Sequence, residues 1–139
     1  MGPTYRSRGI ALTVAASVGV LIGSFLPWLR SGNRARSSFE LISAARGLGL
    51  IEGWQVRALT ALWYFIPLLV AVTWTASALR RDRLVAAAGA LVGACALAAG
   101  ILAVSFIRPD IGPIVSIGAG AVAALASLVL VRAKDPVRV

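Results

Sequence analysis

Four stretches of this chain carry no charged side chain, at approximately 9–29, 58–79, 84–107 and 111–131. A helix rises about 1.5 Å per residue, so about 20 apolar residues cross the ~30 Å hydrocarbon core of a bilayer. Each stretch meets that length. The polar positions fall between them, in one long link at 30–57 and two short ones at 80–83 and 108–110. The pattern predicts an all-α polytopic membrane protein, a bundle of four transmembrane helices forming a single membrane domain over 1–139.

The long link has its own pattern. Ser31-Gly32-Asn33 reads as a turn. Ser37 followed three residues later by Glu40 fits a capping box, in which the hydroxyl accepts from a backbone N–H and the carboxylate reaches back. A short amphipathic helix over about 38–46 is therefore expected, with Phe39, Ile42 and Ala45 near one face and Glu40, Ser43 and Arg46 elsewhere. Gly47 and Gly49 would end it. So short a helix is marginal in water, which points to the membrane interface or the top of the bundle. Trp28 and Trp54 bracket the link, where interfacial tryptophans are common.

Within the spans, small residues recur at intervals of four. The first holds Gly19 and Gly23, the third Gly89, Gly93, Ala96 and Gly100, and the fourth Ser116, Gly120 and Ala124. Such ladders let helix backbones approach closely, so that van der Waals contact drives association in lipid. Whether they face inward or toward another subunit is open at this level. The second span has no Gly but carries Trp63, Tyr64, Phe65, Pro67 and Trp74. Pro67 lacks an N–H and should kink the helix.

Composition agrees with the membrane reading. Of 139 residues, 59% are hydrophobic and 14% charged, and the mean hydropathy is +0.88. Soluble domains carry roughly 25% charged residues. The formal charge is +9. In a soluble chain that would suggest nucleic acid, but here the cations flank the spans and no nucleic-acid binding is expected. The first apolar run is about 20 residues long, beyond the 7–15 of a signal peptide, and no small-x-small site follows it. An uncleaved span is expected.

Four spans put both termini on one side, with Arg6, Arg8, Arg80, Arg81, Arg83, Arg132, Lys134 and Arg138. The other side takes Arg30, Arg34, Arg36, Arg46, Arg57 and Arg108. The tight, basic link 80–83 predicts that both termini are cytoplasmic in a multi-pass plasma (inner) membrane protein. This leaves the first loop outside with five arginines against Glu40 and Glu52, net +3. The departure from the positive-inside pattern makes Trp28, Arg30, Arg34, Arg36, Arg46 and Trp54 the candidate lipid- or partner-binding residues. A solvated connector whose arginines snorkel to head groups accounts for the same sequence. Gly19, Gly23, Gly89, Gly93, Gly100 and Gly120 are the candidate helix-packing residues.

Reactive chemistry is sparse. The chain has no His, and its one cysteine, Cys95, lies mid-span. None of the four stretches carries a carboxylate, which proton-coupled exporters need within the membrane. No nucleophile–base set, phosphate loop or metal cluster is legible. Catalysis, a cofactor and a soluble small-molecule substrate are therefore not expected.

The run Phe25-Leu26-Pro27-Trp28-Leu29-Arg30-Ser31-Gly32, continuing to Arg36-Ser37-Ser38-Phe39-Glu40-Leu41, resembles a pattern in small four-span membrane proteins of high-GC Gram-positive bacteria. The resemblance implies an inner-membrane protein whose first loop is its distinctive part, and it carries over no activity. The leading expectation is a non-enzymatic accessory or scaffolding subunit of a larger plasma-membrane complex with hetero-oligomeric protein partners. The alternative is a protein that binds or flips an anionic lipid or envelope precursor through the arginine loop.

Overall fold

The computed structural model describes residues 3–31, 33–49, 53–106 and 110–132. Gly32, Glu52, Arg108, Lys134 and Arg138 lie outside the described residues. The described chain is all-α except for one hairpin. Helix α1 spans Pro3–Phe25, strands β1 and β2 span Leu29–Ser31 and Arg34–Arg36, and helix α2 spans Ser38–Gly47. Helices α3 (Trp54–Tyr64), α4 (Ile66–Ala78), α5 (Asp82–Phe106) and α6 (Ile111–Arg132) follow. Three helical segments are long and apolar enough to cross a membrane: Tyr5–Phe25, Asp82–Ser105 and Ile111–Arg132.

Boundaries follow local chemistry. Helix α1 stops at Phe25 because Pro27 disfavours helical geometry at Leu26. The stretch 58–79 is divided between α3 and α4, which meet at Phe65, two residues before Pro67. Pro67 offers no N–H to the turn before it, and Phe65 keeps right-handed dihedrals (φ −85°, ψ −4°) while its N–H reaches back to Ala61 and Leu62. Helix α4 has 13 residues, about 20 Å of rise. It ends in a paired C-terminal motif: Arg80 adopts a left-handed φ of 54° and donates to the Ser77 carbonyl, while Arg81 donates to that of Ala76.

Helix α6 packs against both α1 and α5, and α4 lies against α5 and α1. The glycine ladders sit in these seams. A Cβ on Gly93 would come within 2.7 Å of the Gly120 carbonyl oxygen, and one on Gly19 within 3.1 Å of Ala119 Cβ. Gly23 abuts Ser116, Gly100 abuts Ile117, Gly120 abuts Ala96, and Gly89 abuts Thr13 and Ser127. All six ladder glycines therefore face neighbouring helices of the same chain. Hydroxyls in the seams fold back on their own helices: Thr13 donates to Gly9 O, Ser17 to Thr13 O and Thr73 to Leu69 O. The main core joins Val20, Trp28, Trp63, Ile66, Val70, Val92, Cys95 and Ala96.

Two ion pairs tie the start of α1 to the first residue of α5, and β1 to the residue before α6. Arg6 Nε donates to Asp82 Oδ2, and that carboxylate is 4% exposed. At the opposite end Arg30 Nε donates to Asp110 Oδ2 at 3.2 Å. Leu130, near the end of α6, packs on Gly9. The starts of α1 and α5 and the end of α6 thus share one end of the bundle.

Candidate functional site

The other end carries the arginine loop, and its construction begins with Trp28. Pro27 ends α1, and Trp28 turns back into the bundle, where it is 5% exposed. Its Nε1–H donates to the Gly23 carbonyl at 2.9 Å, and its ring meets that of Trp63 edge-on at 5.2 Å. Gly112 supplies the notch: a Cβ there would lie 2.3 Å from Trp28 Cδ1. Trp28 is therefore a core residue.

From this anchor the chain forms the hairpin. Leu29 pairs with Arg36, Arg30 with Ala35 and Ser31 with Arg34. The base is fastened on both sides: Trp28 N–H donates to Arg36 O at 2.8 Å, Gly112 N–H to Pro27 O at 2.8 Å, and Asp110 N–H to Trp28 O at 3.3 Å. Helix α2 continues directly. Ser37 and Glu40 cap it reciprocally, with Ser37 N–H donating to Glu40 Oε2 at 2.8 Å. Phe39, Leu41 and Ile42 pack on the main core, while Glu40, Ser43 and Arg46 are exposed.

A buried relay ties α2 to two helices. Trp63 Nε1–H donates to Ser38 Oγ at 2.9 Å, and Ser38 Oγ–H donates to the Ser24 carbonyl at 2.7 Å. Removing the hydroxyl leaves a buried donor and a buried acceptor unpaired, at about 1–3 kcal/mol. Ser38→Ala is expected to lower the unfolding temperature in detergent measurably. An unchanged melting curve would mean that this relay does not hold α2 in place.

The strand period separates the loop arginines. Residues two apart share a face, so Arg34 and Arg36 lie together and Arg30 lies on the opposite face. Arg30 is also occupied by Asp110. Arg34 and Arg36, with Ala35 and Glu40, line an open hollow of about 420 Å³, within the ~300–1,000 Å³ range of ligand clefts. Among the described residues neither Arg34 nor Arg36 has a carboxylate within ion-pair distance. Arg46 is exposed beyond this hollow on the last turn of α2, and Trp54 is 75% exposed at the start of α3. Of the six sequence-derived contact residues, the structure brings together only Arg34 and Arg36, and adds Glu40. The hairpin itself had a sequence signal, since Gly32-Asn33 is a two-residue turn pair flanked by short strand-compatible runs.

Comparison with protein-family models, curated proteins and solved structures yields no match to this chain.

Proposed function

We propose that this chain is a non-enzymatic four-pass plasma-membrane protein, termini cytoplasmic, that binds the phosphate of a membrane lipid or lipid-linked envelope precursor through Arg34 and Arg36. The observation that carries this reading is the mounting of the hairpin. Its base is held by hydrogen bonds to α1 and α6, through Gly23, Pro27 and Gly112, and by the buried indole of Trp28. A slack connector needs no such fixing, whereas a binding site gains affinity from pre-organisation. Two guanidinium groups on one face match the planar, bidentate chemistry of phosphate oxygens.

Four passes are supported by the path of α3 and α4. Trp63 reaches Ser38 at the hairpin end, and the chain arrives at Asp82 beside Arg6 at the other. Helix α4 together with the last turn of α3 thus covers the same thickness as α1. The basic turn Arg80, Arg81 and Arg83 supports a cytoplasmic location for that end. The hairpin then faces outward. The glycine ladders are filled within the chain, which leaves them no groove for docking other helices, so lipid-phosphate binding takes precedence over an accessory-subunit role.

The test is the double variant R34Q/R36Q, assayed by native mass spectrometry of detergent-solubilised protein titrated with phosphatidylglycerol and phosphatidylethanolamine. Retention of both lipids is expected to fall at least about tenfold, since each charge-assisted contact contributes roughly 1.5–3 kcal/mol, with the melting temperature unchanged. Undiminished retention by the folded variant would overturn the proposal.

A further inference from the structure

The hollow beside the hairpin is not uniformly basic. Arg34, Arg36 and Glu40 all line it. Glu40 uses one oxygen, Oε2, for its capping contacts with Ser37 N–H at 2.8 Å and Ser37 Oγ at 3.2 Å. Among the described residues nothing donates to Oε1, and the side chain is exposed. A carboxylate held by its cap therefore stands beside two guanidinium groups carried on paired strand backbone. A purely anionic ligand would satisfy the arginines and be repelled by Glu40.

An aromatic group lies at the same end of the bundle. Phe25 and Phe39 rings lie 5.2 Å apart, and Phe39 and Tyr64 rings 5.6 Å apart. Phe25 and Tyr64 are 63% and 44% exposed. Exposed aromatics at the end of an apolar helix sit at the boundary of hydrocarbon and head groups. Phe39 immediately precedes Glu40 on α2, so this aromatic group neighbours the hollow along the chain.

Resting on the phosphate-binding reading, we propose that this hollow selects a phosphodiester bearing a primary ammonium group, supplied by an ethanolamine phospholipid of the outer leaflet. The phosphate lies on Arg34 and Arg36, and the ammonium donates to Glu40 Oε1. Each charge in the hollow then meets its opposite. Phosphatidylglycerol leaves Glu40 without a cation, and phosphatidylcholine brings a trimethylammonium group with no N–H to donate.

The experiment compares wild type, E40Q and R34Q/R36Q in detergent by native mass spectrometry, each titrated with phosphatidylethanolamine, phosphatidylglycerol and phosphatidylcholine, and with soluble glycerophosphoethanolamine as competitor. Gln at this position still closes a capping box, so E40Q removes charge while keeping α2. Wild type is expected to prefer the ethanolamine lipid about tenfold over the other two, a difference of about 1.4 kcal/mol. E40Q should abolish that preference and bind phosphatidylglycerol at least as well as wild type does. An unaltered preference in E40Q, alongside weakened binding of all lipids in R34Q/R36Q, overturns the ammonium assignment and leaves phosphate binding standing. No loss in R34Q/R36Q overturns both. Competition by glycerophosphoethanolamine as effective as by the intact lipid overturns the membrane source.

Discussion

Gly93→Leu is expected to disrupt the bundle, with Gly118→Leu as its silent counterpart. A Cβ at position 93 would lie 2.7 Å from the Gly120 carbonyl oxygen, 2.8 Å from the Ala124 backbone nitrogen and 3.1 Å from Ala124 Cβ. Two of these three atoms are backbone, so no rotamer change relieves the contact, and α5 and α6 must move apart. Overpacking in a well-filled core costs typically about 1–3 kcal/mol. A backbone-on-backbone seam belongs at or above the upper end of that range, because separation also forfeits the dispersion contacts along the seam. Gly118 lies on α6, the helix that carries Gly120, with nothing within 4 Å of its would-be Cβ. Fluorescence-detected size-exclusion after heating should show an early loss of the folded peak for G93L and a wild-type curve for G118L. Equal curves for both variants would contradict the assignment of the ladder to the interior of this chain.

That contrast shows what periodicity can and cannot decide. Spacing of four at Gly89 and Gly93 marks a face, but the neighbour that fills it is set by how α5 and α6 cross, which no local pattern encodes. Helices α5 and α6 begin and end within two residues of the uncharged stretches 84–107 and 111–131, because charge and turn residues bound them on both sides. Helix α1 departs from its stretch, starting earlier at Pro3 and stopping at Phe25. Lack of charge limits where a helix can be buried, whereas Pro27 limits where one can exist. The arginine loop was legible as basic and as a departure from the positive-inside pattern. Its division was not: whether Arg30 sides with Arg34 and Arg36 depends on the register of the hairpin and on Asp110, 80 residues away. Trp28 illustrates the same limit. A tryptophan at the end of a span fits the interfacial belt on composition alone. Only the notch at Gly112 and the carbonyl at Gly23 turn it inward.

Trp28→Ala should therefore have an effect out of proportion to one residue in a loop. The indole is the point at which α1, α3 and α6 converge on the hairpin, through Gly23, Trp63 and Gly112. Truncating a buried Trp costs about 3–5 kcal/mol in lost apolar burial and residual cavity. Here the cavity opens directly beneath β1 and β2, so the loss falls on the hairpin first. Trp28→Phe keeps the backbone bonds to Arg36 and Asp110 and much of the apolar area, losing chiefly the bond to Gly23, worth about 1 kcal/mol. Trypsin reads the difference directly, because Arg34 and Arg36 are cleavage sites protected only while β1 and β2 stay paired and fastened. In detergent, W28A is expected to be cut at these positions much faster than wild type, with W28F intermediate, and to lose lipid-phosphate binding in proportion to hairpin release. Wild-type cleavage rates in W28A would show that the hairpin is held by its own pairing and by α2, and that the indole merely fills space. Cleavage accelerated without loss of lipid binding would separate the clamp from the site, and with it the mounting of the hairpin from the function proposed for Arg34 and Arg36.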